Sequence, residues 1–304
     1  VSRAPDSPSQ SRGGIRVLAP GFLTTVQDLG RYGYAHLGVS ASGAADALSL
    51  RLANLLAGNE EGAPALEMTL LGGTFEFESE TVVALAGSDF GANIPLGGAV
   101  TLRPGDIVRC GATRGGARCY LAVRGGIDAP LVLGSASTHV MTSLGGRPLK
   151  KGDLLRAGAR VCSRPKRLAS PPPPPRRLLR ATAGPQAEWF DPEPFYAAAW
   201  RVTEESNRMG LRLDGPPLAR HAGHMLTEGV SLGAVQVPPD GRPILLFVEH
   251  QTTGGYPKIA NVISADMHSV GQLRPRDEIR FECVSLEQAL ALLREQEEWL
   301  HSLV

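Results

Sequence analysis

Several familiar chemistries are missing from this sequence. No apolar run among its 304 residues approaches the roughly 18 needed for a membrane-spanning helix. The four cysteines, Cys110, Cys119, Cys162 and Cys283, are scattered and form no C-x-x-C pair, so zinc-ribbon and thioredoxin-like patterns are excluded. They read as buried thiols in a reducing cytoplasm, although Cys110 and Cys119 flank a Gly-rich turn where a hairpin could bring them face to face. No G-x-x-x-x-G-K-[ST] loop and no strand-linked G-x-G-x-x-G is present, which removes self-contained phosphate-loop or dinucleotide binding. The nearest approach to a G-x-S-x-G elbow, at Gly38 to Gly43, places Ser42 where glycine is required. Excess charge of either sign is also absent: 31 Lys and Arg against 30 Asp and Glu give +1, so no global field draws the chain to nucleic acid or an anionic membrane.

What is present is turn chemistry and short strands. Glycine at 36 and proline at 24, with 42% apolar residues, suit a turn-rich β protein rather than a disordered one. The length favours two domains. Val1 to Gly14 is Ser/Pro/Arg-rich without a signal peptide's apolar centre and reads as a disordered tail. The spacing of Leu48, Leu52 and Leu55 predicts a helix over 44–57, with Asp46 in its first turn and Gly58 as the C-terminal cap. From Glu67 onward short β-branched or alternating runs predict strands. A turn recurs three times, at Leu102–Arg109, Leu149–Arg156 and Leu273–Arg280, each with an Asp launching a strand, which hints at two related β domains.

Pro171 to Pro175 forms an extended, semi-rigid run that divides the chain. The predicted organisation is a tail at 1–14, a β domain at 15–163, a linker at 164–180 and a second β domain at 181–304. In the latter, Asp191-Pro192 opens a short helix through Trp200. Ser285 and Gln288 match a capping box for a terminal helix whose apolar face is Leu286, Ala289, Leu290 and Leu293, packing on the second barrel or on a partner. His221 and His224, three apart in a loop without a carboxylate, read as surface histidines, and no metal site is expected.

The most chemically loaded stretch is Gln251-Thr252-Thr253-Gly254-Gly255-Tyr256-Pro257-Lys258, after the apolar run Ile244 to Val248. Two glycines allow positive φ and close backbone approach, and the flanking groups offer donors and acceptors to a small polar molecule. The alternative is a β-turn with a solvated Lys258. Gln236, inside an apolar alternation, is expected to face inward or into a cleft. Arg31, Arg124 and Arg208 add groups that orient amides, carboxylates or phosphates.

Taken together, Pro20-Gly-x-x-Thr24-Thr25-Val-Gln27-Asp28-Leu-Gly30-Arg31, Ser42-Gly43-Ala-x-Asp46, Arg51-Leu-Ala-Asn54, Arg124-Gly125-Gly126, Gly184-Pro185-Gln186, Ser206-Asn207-Arg208-Met-Gly210 and Gln251 to Lys258 resemble the biotin-dependent carboxyltransferase family. The resemblance runs from about Ile15 to Val284, with the five-proline run as an insertion. It implies a mainly β fold of two cyclophilin-like β-barrel domains with a few short helices and a C-terminal helix. Members of the family include the C subunit of bacterial 5-oxoprolinase and half of the carboxyltransferase domain of urea carboxylase, both acting on small amides. For the first, the resemblance implies a cytoplasmic complex that uses ATP with Mg and includes a LamB/YcsF-like A subunit together with a KipI-like B subunit. For the second it implies carboxybiotin as donor, and a KipA-like module that sequesters a kinase inhibitor is a third role. In an amide site Lys258, Arg31, Gln251 and Tyr256 would be catalytic. Gln27, Asp28, Ser42, Asp46, Asn54, Arg124, Asn207, Arg208, Gln236, Thr252 and Thr253 would bind substrate, with Asp28 and Asp46 inclined to turn-holding roles.

Overall fold

The computed structural model of the chain describes residues 13–168, 171–221, 223 and 225–302. The first half contains β1 (Gly14–Ala19), β2 (Leu23–Gln27), α1 (Ala47–Ala57), β3 (Ala65–Thr69), β4 (Thr74–Phe77), β5 (Thr81–Gly87), β6 (Ala99–Leu102), β7 (Ile107–Arg109), β8 (Arg118–Val123) and β9 (Leu154–Arg156). These make a four-stranded sheet, β7-β4-β1-β9, and a five-stranded sheet, β2-β3-β8-β5-β6. The strand period of two explains how β5 and β8 are buried on both faces. Val83, Leu85, Cys119, Leu121 and Val123 join Phe75, Phe77 and Val17 in the core between the sheets. Their alternates, Ala84, Ala86, Tyr120 and Ala122, meet Leu48, Leu52 and Leu56 of α1 on the other side, where small alanines let the helix lie close.

The second half contains β10 (Leu178–Ala183), α2 (Pro192–Ala197), β11 (Trp200–Val202), β12 (Gly210–Asp214), β13 (Glu228–Gly229), β14 (Ala234–Gln236), β15 (Ile244–Leu246), β16 (Thr253–Gly254), β17 (Lys258–Val262), α3 (Met267–Gly271), β18 (Glu278–Cys283) and α4 (Leu286–His301). Seven of its strands close into a barrel, β10-β17-β14-β15-β12-β11-β18. The seam is the parallel pairing of β10 with β18. Closure leaves these strands no free edge. Inside, Phe195 stacks on Phe281 with ring centroids 4.6 Å apart, and Trp200, fully buried, donates its indole N–H to the Phe195 carbonyl at 3.0 Å. The mainly β architecture expected from the sequence is borne out, with hydrogen-bonded closure in the second half and two facing sheets in the first.

Several local expectations change. Gly14 already belongs to β1, and β10 begins at Leu178, inside the stretch read as linker. The first helix starts at Ala47 because Asp46 is its N-cap, accepting the Ser49 amide at 2.9 Å, rather than a first-turn residue. The helix after Asp191 ends at Ala197, since Trp200 is needed in β11. Cys162 and Cys283 are exposed, not buried. Cys110 and Cys119 are buried free thiols, and burial pushes the Cys110 thiol up to about 12. His224 lies outside the described residues, and no metal-competent group of three or more His, Cys, Asp or Glu side chains occurs among the described ones. No described helix is long and apolar enough to cross a membrane.

The repeated turn is one geometry used three times. The carboxylates of Asp106, Asp153 and Asp277 accept the backbone N–H three residues upstream at 2.7, 2.8 and 2.7 Å. The residue before each Asp has positive φ: Gly105 at 88°, Gly152 at 90° and Arg276 at 73°.

The capping box of α4 forms as expected, but its buried face is not the anticipated one. Leu286 and Leu290 are exposed, while Gln296, Glu297 and Leu300 carry the docking. Leu300 is fully buried among the α1 leucines, and Glu297 forms a two-pronged pair with Arg51 of α1, both bonds 2.6 Å. The helix therefore bridges the halves: Gln296 donates to the Ala265 carbonyl of the second at 2.9 Å, in line with the expected packing on the second barrel, while Glu297 and Leu300 fasten it to the first.

Candidate functional site

The two halves meet across a buried ionic seam. Arg208, from the loop before β12, sends its guanidinium into the first half, donating to Glu67 of β3 and to Glu249 at 2.5 Å each and to the Gly43 carbonyl at 2.6 Å. Glu67 also accepts from the Ala45 amide at 2.8 Å and the Tyr120 hydroxyl at 2.7 Å. Burial opposes the charge on Arg208, but Glu67 and Glu249 more than offset it and raise its pKa. Burial keeps the Tyr120 phenol protonated, reinforced by Glu67, so it acts as a donor. Gly43, at φ 95°, turns its carbonyl toward Arg208 where a Cβ would come within 2.9 Å of the Leu29 backbone. Beside this seam, Gln272 has all its amide atoms engaged with the first half. Its Nε2 donates to Asp46 at 2.7 Å and the Arg118 carbonyl at 3.0 Å, and its Oε1 accepts from Ser88 and the Arg118 amide at 2.9 Å each.

A crevice opens along this junction as two adjoining hollows that share Val39, Ser40 and His250. One, about 560 Å³, is walled by Arg31, Ser42, His250 and Thr252. The other, about 630 Å³, is walled by His139, Glu249, His250 and Gln251. Both volumes suit a small organic ligand. Arg31 is almost wholly buried and bonds the Ser137 and Val132 carbonyls. Burial lowers its pKa, against the pull of Asp28 and Glu249. No carboxylate of the described residues pairs with it directly, and its Nη1 has no partner. His250 is held neutral near pH 7, because burial pushes its pKa below the ordinary imidazole value.

Behind Gln251 lies a second polar chain. A bulge at Val235/Gln236 sets Gln236 of β14 opposite Lys258 of β17. Gln251 donates to Gln236 at 3.2 Å. Lys258, 3% exposed, donates from Nζ to Glu228, whose carboxylate also accepts from Gln186 at 3.1 Å. Those bonds, from Lys258 first and Gln186 second, hold the Glu228 pKa below the usual carboxylate value.

The residues singled out in the sequence thus fall into separate places. Arg31, Ser42 and Thr252 wall one hollow of the crevice and Gln251 the other, with Gln236 and Lys258 a layer behind. Gln27 is buried against Thr25 and the Thr138 carbonyl, and Asp28 gathers Gly30, Ser135, Ala136 and Ser137, so both hold the loop on which Arg31 rests. Asn54 bonds the Glu61 and Ala63 carbonyls, within the first half. Arg124 lies by the α1 cap, 3.2 Å from where a Gly58 Cβ would be. Asn207 caps its own loop at Met209, and Thr253 pairs with Gly229 in the β13–β16 ribbon. Tyr256 does not join Lys258; it is 43% exposed and lines a different hollow with Asp240 and Arg242. Pro257 separates it from the β17 ladder, so strand alternation does not carry across. The two glycines also work differently from expectation, since neither Gly254 nor Gly255 has positive φ. Gly254 is needed for space: a Cβ there would lie 2.5 Å from Gln236 Nε2.

Sequence reasoning passed over Glu249 and His250, which sit immediately before Gln251, and His139 in a loop with no motif of its own. The signal for Glu249 was a charged residue closing an apolar run. A buried charge there demands a partner, and Arg208 is the partner.

Two β halves locked by buried charge, with an amide- and imidazole-walled crevice at their junction, define a two-part β scaffold with a hollow of small-molecule size between its halves. The family model of the carboxyltransferase domain, subdomain A and B, matches residues 37–283. The chain is 39% identical over 306 aligned positions to the C subunit of 5-oxoprolinase from Escherichia coli, covering 95% of this chain and 97% of that protein. It is 36% identical to the C subunit of 5-oxoprolinase from Haemophilus influenzae, with 94% and 96% covered. The crystal structure of K. lactis urea amidolyase matches with a TM-score of 0.87 at 32% identity, over 96% of this chain and 20% of that one. This chain belongs to the carboxyltransferase-domain family.

Proposed function

We propose that this chain is the C subunit of an ATP-dependent 5-oxoprolinase complex that opens the lactam of 5-oxoproline to glutamate. It works in the cytoplasm with two partner proteins, one KipI-like and the other LamB/YcsF-like. The observation that carries this reading is the near full-length identity to the C subunit of 5-oxoprolinase in two bacteria. The crevice supports it: a lactam presents one carbonyl acceptor and one N–H donor, and Gln251 and the neutral His250 offer the complement. This chain's part is to bind and orient the amide, since Gln251 is itself fixed by Gln236 and so presents a preset geometry.

ATP with Mg is assigned to the complex rather than to this crevice. Arg208 is committed to two carboxylates and Lys258 to Glu228, and the open Nη1 of Arg31 has almost no accessible surface. A triphosphate needs several free cations or amides, which these residues do not supply. We therefore expect the chain to be inactive alone.

The second reading is a carboxyltransferase component moving a carboxyl group from carboxybiotin to an amide such as urea, favoured by the urea amidolyase match. The KipA-like regulatory role uses the same partner without turnover. The deciding experiment is glutamate release by the complex reconstituted from all three proteins with ATP and 5-oxoproline. Release that avidin leaves untouched supports the 5-oxoprolinase reading; carboxylation of an amide that avidin stops replaces it.

A further inference from the structure

We propose that His139 is a hydrogen-bond donor to the substrate's amide oxygen, a group that polarises the carbonyl from the wall of the crevice. The inference rests on the amide-directed reading above. His139 is 9% exposed and shares its hollow with Ser40, Glu249 and Gln251. Its Nδ1 accepts the Thr142 backbone N–H at 3.3 Å and lies 3.1 Å from the Thr142 hydroxyl. An imidazole nitrogen that accepts an amide proton carries the lone pair, so in the neutral ring the proton is on Nε2. All the contacts that the His139 ring makes with polar atoms of described residues run through Nδ1, and Nε2 is not among the buried atoms lacking a partner. The Nε2–H is therefore a free donor open to the hollow.

The surroundings fix this donor. The loop folds back on itself, the His139 amide donating to the Leu144 carbonyl at 2.9 Å, and Ser143 is held at φ 57°, a strained conformation for a serine. Glu249 lies 3.8 Å from Nδ1, on the nitrogen that does not carry the donated proton. The other titratable groups facing this hollow are Glu249 itself, anchored by Arg208, and the neutral His250. Two adjacent features repeat the theme: Ser40 Oγ is buried without a partner, and Gln251 is held by Gln236.

Two substitutions separate a donor from a loop cap. In His139→Asn the amide oxygen can still take the Thr142 N–H but nothing reaches the hollow. In His139→Gln the terminal amide can still donate near the position of Nε2. In the complete complex His139→Asn is expected to lower kcat/KM for 5-oxoproline by about a hundredfold, the usual loss for one carbonyl-polarising donor, with unchanged unfolding midpoint. His139→Gln is expected to retain activity to within about tenfold of wild type. Equal activity of His139→Asn and wild type, or equal loss in both variants, overturns the proposal while leaving the 5-oxoprolinase reading in place. A wild-type complex without 5-oxoproline turnover overturns that reading, and His139 is then judged on the chain itself by ¹⁵N NMR of the imidazole with 5-oxoproline, 2-pyrrolidinone and urea as probes. A protonated Nε2 whose resonance moves with at least one probe supports the donor role; an Nδ1-protonated ring, or no movement with any, refutes it.

Discussion

Replacing Arg208 by Met tests the claim that the halves are joined by charge as well as by apolar contact. In the folded protein the guanidinium satisfies Glu67, Glu249 and the Gly43 carbonyl with bonds of 2.5, 2.5 and 2.6 Å. Met fills a similar volume but leaves two carboxylates in the interior without it. Breaking a buried pair by removing one partner costs about 3–5 kcal/mol. Glu67 keeps the Ala45 amide, the Tyr120 hydroxyl and Arg118 at 3.7 Å, and Glu249 keeps the Val140 amide at 3.2 Å, which places the expected loss at the lower end, about 3 kcal/mol. Adding Glu67→Gln and Glu249→Gln to Arg208→Met removes the stranded charges, and the triple variant should recover at least half of the loss. Both are read from denaturant midpoints at constant slope. A single-variant loss under about 1 kcal/mol, or a triple variant no better than the single one, refutes the reasoning.

Other expectations follow from the backbone and from burial. Gly152→Ala at φ 90° has open space around it, so its cost of about 1–2 kcal/mol is backbone strain alone. Arg276→Gly, at the same turn position, relieves that strain while losing an exposed pair with Glu204, and should stay within about 1 kcal/mol of wild type; urea midpoints check both. Gly254→Ala pushes a Cβ against Gln236 Nε2 and should displace the amide that holds Gln251, cutting kcat/KM of the complex by about tenfold with little change in midpoint. For His250, whose folded pKa is depressed by burial, the unfolded chain takes up the proton first as pH falls below the ordinary imidazole value of 6.5. Its contribution is thus complete above that pH and lost on acidification, and a His250→Asn variant should show a flatter stability profile below pH 6.5 than wild type.

Much of the architecture was legible because it is written in short-range patterns. The three Asp turns, the α4 capping box and the strand alternation each depend on neighbours within a few residues, and all formed. The site was only half legible, because its members come from far apart. Gln251 and Arg31 announced themselves by polar clustering, whereas Glu249 acquires meaning only from Arg208 and His139 only from the hollow it faces. Tyr256 shows the converse: adjacency to Lys258 in sequence promised proximity, and Pro257 ended the ladder between them. The α4 face was misjudged for a related reason. Periodicity identified its leucines, but the surfaces it meets selected other residues: α1 of the first half took Glu297 and Leu300, and the Ala265 carbonyl of the second took Gln296.

The return of α4 to α1 makes the five-proline run dispensable as a tether. Leu300 in the α1 core, the Arg51–Glu297 pair and the Gln272 contacts would keep the halves together after the peptide chain between them is cut. A nick at Pro171 to Pro175 should yield two fragments that co-migrate under native conditions and part only in denaturant. The same property makes the protein suited to split-fragment complementation, with each fragment's helix serving as the other's latch.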